Sequence, residues 1–199
     1  MPAKHLAASA AVLAGGIGSY GGIRPGLAIY GLVPDELAAI ELPAANRNRL
    51  RPVMALYARP VRVQDLPAGW GISYGPTFRT ARPSRIATLP LGYGDGWSRR
   101  LSNRASAIVR GIRVPLVGNV AMDAVMADVT DVPGPPVGVA DEFVLLGEVG
   151  VDRITAADLA HERTTNSWEV VTGMARRLPR VYHAAAGPVG LRALTERRT

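Results

Sequence analysis

The sequence predicts a mainly β protein: an antiparallel, barrel-like domain with short helices, led by a short α/β segment. Three observations carry that reading. From Pro52 onward, short apolar and β-branched runs recur between Gly, Pro and Asp turn positions, the pattern of a compact antiparallel sheet or barrel. Before Pro52 the chain is instead rich in Ala, Gly and Pro. Late in the chain, Thr155 with Asp158 and Asn166 with Glu169 have the three-residue spacing of helix N-caps.

The elements follow in order. Residues 6–13 read as a short Ala-rich helix, stopped by Gly15-Gly16. A formal G-x-G-x-x-G at Gly16, Gly18 and Gly21 follows a helix-like run and precedes Ile23-Arg24-Pro25-Gly26. A dinucleotide fingerprint needs a strand before it and a helix after it, so this match reads as a loop. Residues 27–31 look like a short strand, and 34–50 like a connection rich in Pro, Ala and Asn. That connection divides the chain into residues 1–44 and 45–199. Strands are then expected at 53–63, 85–91, 106–109, 114–117, 124–129 and 142–146, with a last one at 180–183 after the two capped helices.

Composition narrows the function. The 199 residues are 48% hydrophobic and 20% charged, a globular balance rather than a disordered one. With no cysteine, the chain has no disulfide framework, no thiolate metal cluster and no thiol nucleophile. The net charge of +7 is almost wholly arginine: of 23 basic residues, Lys4 is the only lysine. Those arginines are scattered, as GC-rich coding would scatter them, and do not form the basic stripe of a nucleic-acid surface. Any chemistry that needs a lysine must use Lys4 or borrow one from another chain. Residues 1–18 have the pattern of a secretory signal, with an apolar run at 6–14 that matches the ~7–15 residues its core needs, but no run approaches the ~20 residues of a spanning helix.

Few side chains stand out as chemistry. His5, His161 and His183 have no ligand spacing, and His161-Glu162 lacks the second histidine of a zinc-protease helix. Asp123, Asp128 and Asp131 suit a strand end and a turn. Ser9, Ser73 and Ser98 lack the G-x-S-x-G elbow of a serine hydrolase. Two tyrosines are more telling, because each sits among glycines where a strand runs into a turn: Gly71-Ile72-Ser73-Tyr74-Gly75 and Gly92-Tyr93-Gly94-Asp95-Gly96-Trp97. Most such rings close a turn. A tyrosine can also act as a base when cations lower its pKa from about 10, and Arg99 and Arg100 follow Tyr93 closely.

Taken together, the motifs resemble those of the alanine racemase family. The likeness runs through His5-Leu6-Ala7-Ala8-Ser9-Ala10, Arg24-Pro25-Gly26-Leu27-Ala28-Ile29-Tyr30-Gly31 and Ser73-Tyr74-Gly75-Pro76-Thr77-Phe78. It continues through Pro90-Leu91-Gly92-Tyr93-Gly94-Asp95-Gly96-Trp97, Pro115-Leu116-Val117-Gly118-Asn119-Val120-Ala121-Met122-Asp123 and Arg177-Leu178-Pro179-Arg180-Val181-Tyr182. The blocks stand in family order with near-family spacing from residue 5 to about 183, which displaces the signal-peptide reading.

The resemblance implies a mostly β C-terminal domain preceded by a remnant of a pyridoxal-phosphate-binding (β/α)8 barrel. It implies a cytoplasmic enzyme that interconverts L- and D-alanine for peptidoglycan and works as a homodimer. By the same likeness Ser9, with the backbone of Gly26 and Leu27, binds the cofactor phosphate, and Arg24 faces the pyridine nitrogen. Tyr74 matches one of the two bases that racemisation requires, one on each face of the α-carbon. Tyr93 lines the way in for substrate, and Met122, with Asp123 beside it, contacts the substrate carboxylate.

Three departures bear on activity. The family's cofactor-binding lysine lies in an early-barrel motif that nothing here matches. Ala8 replaces the usual asparagine before Ser9. Trp168 stands where relatives place a phosphate-binding tyrosine, and an indole N–H is a donor only. The expectation is a chain inactive alone, completed by a separate lysine-bearing barrel chain or belonging to a truncated gene. The alternative is a non-catalytic β module or dimerisation domain derived from such an enzyme. Apolar Leu13, Ile23, Leu27 and Ile29 are expected to be exposed for want of a barrel to cover them.

Overall fold

The computed structural model describes residues 4–15, 21–37, 42, 46 and 49–194. Strand β1 (His5–Ala8) runs parallel to β2 (Gly22–Arg24), and Ala8 lies opposite Arg24. Helix α1 (Ser9–Ala14) follows β1 directly and ends on Gly15 in the left-handed conformation. The expected helix at 6–13 is thus half strand. Alanine favours helix only weakly, and pairing with β2 outweighs that preference over His5–Ala8. Gly16 and Gly18 of the formal glycine motif lie outside the described residues.

The expected strand at 27–31 is instead a 3-10 helix, Leu27–Tyr30, closed by Gly31 at φ 73°. The Ile29 N–H reaches the Gly26 carbonyl, and the Gly31 N–H reaches that of Ala28. These local bonds occupy the groups a sheet partner would need. A second 3-10 turn, Asp35–Leu37, lies within the connection.

Ten strands come next: β3 (Leu56–Ala58), β4 (Arg62–Leu66), β5 (Gly71–Ile72), β6 (Phe78–Arg79), β7 (Ser84–Leu89), β8 (Ser106–Val109), β9 (Ile112–Val117), β10 (Val125–Asp128), β11 (Phe143–Val149) and β12 (Asp152–Ile154). Eight of them form one sheet in the order β12-β11-β8-β9-β10-β7-β4, with β3 also on β11, and every pairing is antiparallel. The single strand expected at 53–63 is two, β3 and β4, on opposite sides of the sheet. Pro60 lies between them and has no N–H to continue a ladder. β5 and β6 form a small separate hairpin, with Tyr74 in its turn.

Helices α2 (Ala156–Arg163) and α3 (Ser167–Thr172) start where their caps predict. Thr155 Oγ1 accepts from the Asp158 N–H at 3.0 Å, while Asp158 accepts from the Thr155 N–H at 2.8 Å. Asn166 Oδ1 accepts from the Glu169 N–H at 3.0 Å. The last expected strand is half of a hairpin, β13 (Arg180–Ala184) with β14 (Gly187–Arg192). Gly187, Pro188 and Gly190 hide β14 from propensity.

One core unites the large sheet with α2 and α3. Phe143, Leu145, Ile108 and Val109 meet Leu159, Val170 and Val171 there, with Trp97 and Leu101. Residues 143–146 of β11 are buried in succession, so this strand is covered on both faces. The expected exposure of four apolar residues divides. Leu27 is 1% exposed and belongs to the main core, and Leu13 is buried in a smaller cluster with Leu37 and Leu42. Ile23 and Ile29 are exposed, together with Leu6. Among the described residues no helix is long and apolar enough to cross a membrane.

Candidate active site

The turn joining β9 to β10, residues 118–124, is the seat on which two tyrosine loops rest. Asn119 holds the first. Its side-chain amide donates to the carbonyls of Tyr74 at 2.9 Å and Gly75 at 3.0 Å, and its own carbonyl accepts from the Ser73 hydroxyl at 2.6 Å. Tyr74 stands out from this turn with 81% of its surface exposed.

The second loop carries Tyr93 and lies directly on Ala121 and Met122. The Tyr93 N–H donates to the Ala121 carbonyl at 3.0 Å, and the Gly94 N–H to that of Met122 at 2.9 Å. Such close approach needs a glycine at position 92, where a Cβ would fall 2.3 Å from both carbonyl oxygens. The side chains of Tyr93 and Met122 remain exposed beside each other's backbone.

Arg177 locks this arrangement from below. Its Nε donates to Asp95 at 2.6 Å and its Nη2 to Asp123 at 2.6 Å. Asp95 is buried and also accepts from the Gly92 N–H at 2.9 Å, tightening the Tyr93 turn. The hydrogen bond to Asp95, then that to Asp123, hold the guanidinium pKa above its already high ordinary value. The Asp123 carboxylate is therefore engaged by Arg177 rather than held free beside Met122. Arg100, expected near Tyr93, donates instead to the Arg163 carbonyl at the end of α2, at 3.1 Å.

A second group gathers at the end of the parallel pair. Because Ala8 lies opposite Arg24, Ser9 meets the turn after β2. The buried Ser9 Oγ accepts from the N–H of Gly26 at 2.9 Å and of Ala28 at 3.1 Å. Arg24 is exposed and reaches the Leu6 carbonyl at 3.4 Å. Trp168 packs against the main core from α3. Next to it, Ser167 donates its N–H and hydroxyl to Asp35 at 2.8 and 2.7 Å. Among the described residues no hydrogen bond joins the Ser9 group to the Tyr74 and Tyr93 loops.

The structure thus brings Tyr74, Tyr93, Met122 and Asp123 onto one seat, and Ser9, Arg24, Gly26 and Leu27 onto another. Asp95, Arg177, Asn119 and Asp35 complete them and escaped sequence reasoning. The first three stand inside the motif blocks, which was the available signal. Nothing in the sequence pairs Asp35 with Ser167.

The family model described as "Alanine racemase, C-terminal domain" matches residues 53–182. The chain belongs to that family. It is 42% identical over 187 residues to the alanine racemase of Halothermothrix orenii, covering 94% of this chain and 47% of that relative. A solved alanine racemase of Bacillus anthracis with bound L-Ala-P superposes with a TM-score of 0.84 at 34% identity, covering 94% of this chain and 46% of that one. A Bartonella henselae alanine racemase with covalently bound pyridoxal phosphate superposes with a TM-score of 0.72 at 28% identity, over 89% of this chain and 46% of that one. The chain spans about half the length of the curated relatives it matches.

Proposed function

We propose that this chain supplies the C-terminal part of a cytoplasmic, pyridoxal-phosphate-dependent alanine racemase that makes D-alanine for peptidoglycan. The observation that carries the proposal is the 118–124 turn, which supports the Tyr74 and Tyr93 loops and Met122 together within the matched domain. On this reading Tyr74 gives and takes the α-proton of alanine on one face. The Met122 backbone holds the substrate carboxylate, and Tyr93 lines the approach. Asp123 acts through Arg177, fixing Met122 in place.

The Ser9 group fits the phosphate end of the cofactor. Ser9 Oγ already accepts two amides, which leaves its hydroxyl hydrogen to give to an anionic oxygen. Space beside Gly26 is open, since a Cβ there would meet nothing within 4 Å. Ser9, Gly26 and Leu27 would hold that phosphate, with Trp168 nearby in role but poorer in chemistry, and Arg24 would face the ring nitrogen. When bound, the cofactor supplies the electron sink that makes the α-proton removable. The second base is a lysine with no counterpart among these 199 residues, so we assign it to a lysine-bearing barrel, either upstream in the same polypeptide or on another chain. Residues 1–44 would be the part of this chain that docks with that barrel, and the two site groups would serve different active sites of a dimer.

Mixing the purified chain with pyridoxal phosphate and alanine tests this, with and without a polypeptide carrying the lysine-bearing barrel of a relative. The expected result is no racemisation and no borohydride-reducible adduct alone, and turnover on complementation. Tyr74→Phe should then lower turnover by roughly 100-fold or more. Turnover by the chain alone, or complemented turnover indifferent to Tyr74→Phe, would overturn the proposal.

A further inference from the structure

Tyr74 is held by its main chain rather than by its ring, and we propose that Asn119 is the residue that positions it. This rests on the reading of Tyr74 as a base and adds how that base is aimed. The Tyr74 side chain is largely exposed and its hydroxyl has no partner among the described residues, so its direction is set at the root of the loop. That root is a disfavoured shape: Ser73 adopts φ 66°, a left-handed conformation that serine rarely takes.

Asn119 holds this shape at four points. It receives the Ser73 hydroxyl, gives its two amide hydrogens to the carbonyls of Tyr74 and Gly75, and accepts from Thr77 Oγ1 at 3.2 Å. Asn103 braces both ends of the clamp, donating to Thr77 Oγ1 at 2.9 Å and accepting from the Gly118 N–H at 2.6 Å. Position 118 must be glycine for this, because φ is 81° and a Cβ would lie 2.8 Å from the Ile72 carbonyl oxygen. The same turn carries Met122 and seats Tyr93. Asn119 therefore fixes the distance between the Tyr74 main chain, from which the proposed base projects, and the proposed carboxylate site.

Nitrogen-15 relaxation of the chain tests the clamp without cofactor. The amides of Tyr74 and Gly75 should show order parameters near 0.85 in the native chain and below about 0.6 in Asn119→Ala. Asn119→Asp, which keeps the shape but removes both donors, should match it. Thr77→Val should give a smaller loss, and residues 112–117 should stay rigid throughout. Should Asn119→Ala fail to fold, Asn119→Asp and Thr77→Val read the same clamp. Unchanged order at residues 74–75 in any folded Asn119 variant would overturn the proposal. In the complemented enzyme, Asn119→Ala should lower kcat at least tenfold with KM for alanine unchanged. A loss confined to KM would overturn the positioning role. Full turnover by Tyr74→Phe would remove the base reading itself, while the relaxation result would still stand.

Discussion

Phe143 and Leu13 are both buried, yet they are buried by different means. Phe143 lies in a strand covered on both faces, within a core shared by the large sheet and two helices. Leu13 has Leu37 and Leu42 as its buried companions, beside a two-stranded parallel pair with Leu6, Ile23 and Ile29 exposed around it. A two-stranded sheet is marginal by itself. Residues from 50 onward bring most of their own cover, with Leu27, Tyr30 and Leu32 added from the preceding segment, whereas that segment depends on what it rests against. The proposed base, Tyr74, sits on the first kind of structure; among the proposed phosphate ligands Ser9 and Gly26 sit on the second, and Leu27 reaches from it into the main core.

The largest test of this contrast is a pair of truncations followed by urea unfolding. Phe143→Ala should cost about 3–5 kcal/mol of domain stability. Leu13→Ala should cost about 2 kcal/mol at most, since the small cluster can close over the gap. Equal losses would show one cooperative unit in place of two unequal ones.

Asp35→Ala cuts one polar tie between the segments. It strands two donors of the buried Ser167, an expected cost of about 1–3 kcal/mol. Limited proteolysis should then accelerate between residues 31 and 50 while the sheet stays protected. Unaltered cleavage there would mean that the segment is held by its apolar contacts alone.

The smallest effect is one of pH and concerns the β domain only. The Arg110 guanidinium, bonded at 2.7 and 2.8 Å, and the Gly138 N–H at 2.8 Å hold the Asp141 carboxyl below the usual carboxylate range. A depressed native value means stability that is fully present above the unfolded pKa of about 3.9 and lost as pH falls through the lower native value. The melting temperature should drop in that acidic window, and Asp141→Asn should flatten this part of the profile. A variant with the same acid slope as the parent would exclude Asp141 as the source.

How much of this was legible in the sequence followed from the range of each interaction. Strand β8 and both helix caps rest on neighbouring residues and were read correctly. His5–Ala8 was misread because its strand exists only through a partner some sixteen residues away, which alanine propensity cannot announce. Residues 27–30 look strand-like by composition but satisfy their amides locally. In the proposed site, Tyr74, Tyr93 and Met122 stand out through motif blocks, yet the contacts that support them do not. Arg177 reaches Asp95 across 82 residues, and Arg100 turns away to α2 despite standing near Tyr93 in sequence.

The Asp35–Ser167 tie has a consequence for the order of events during synthesis. Its partners are 132 residues apart, so the segment bearing Ser9 and Arg24 leaves the ribosome long before its anchor exists. At ~5–20 residues per second that interval is on the order of ten seconds. Until then Leu6, Ile23 and Ile29 lie exposed on a segment that the anchor does not yet hold. A nascent chain of this design invites chaperones or an early-binding partner to the segment of β1 and β2, well before α3 exists to anchor it.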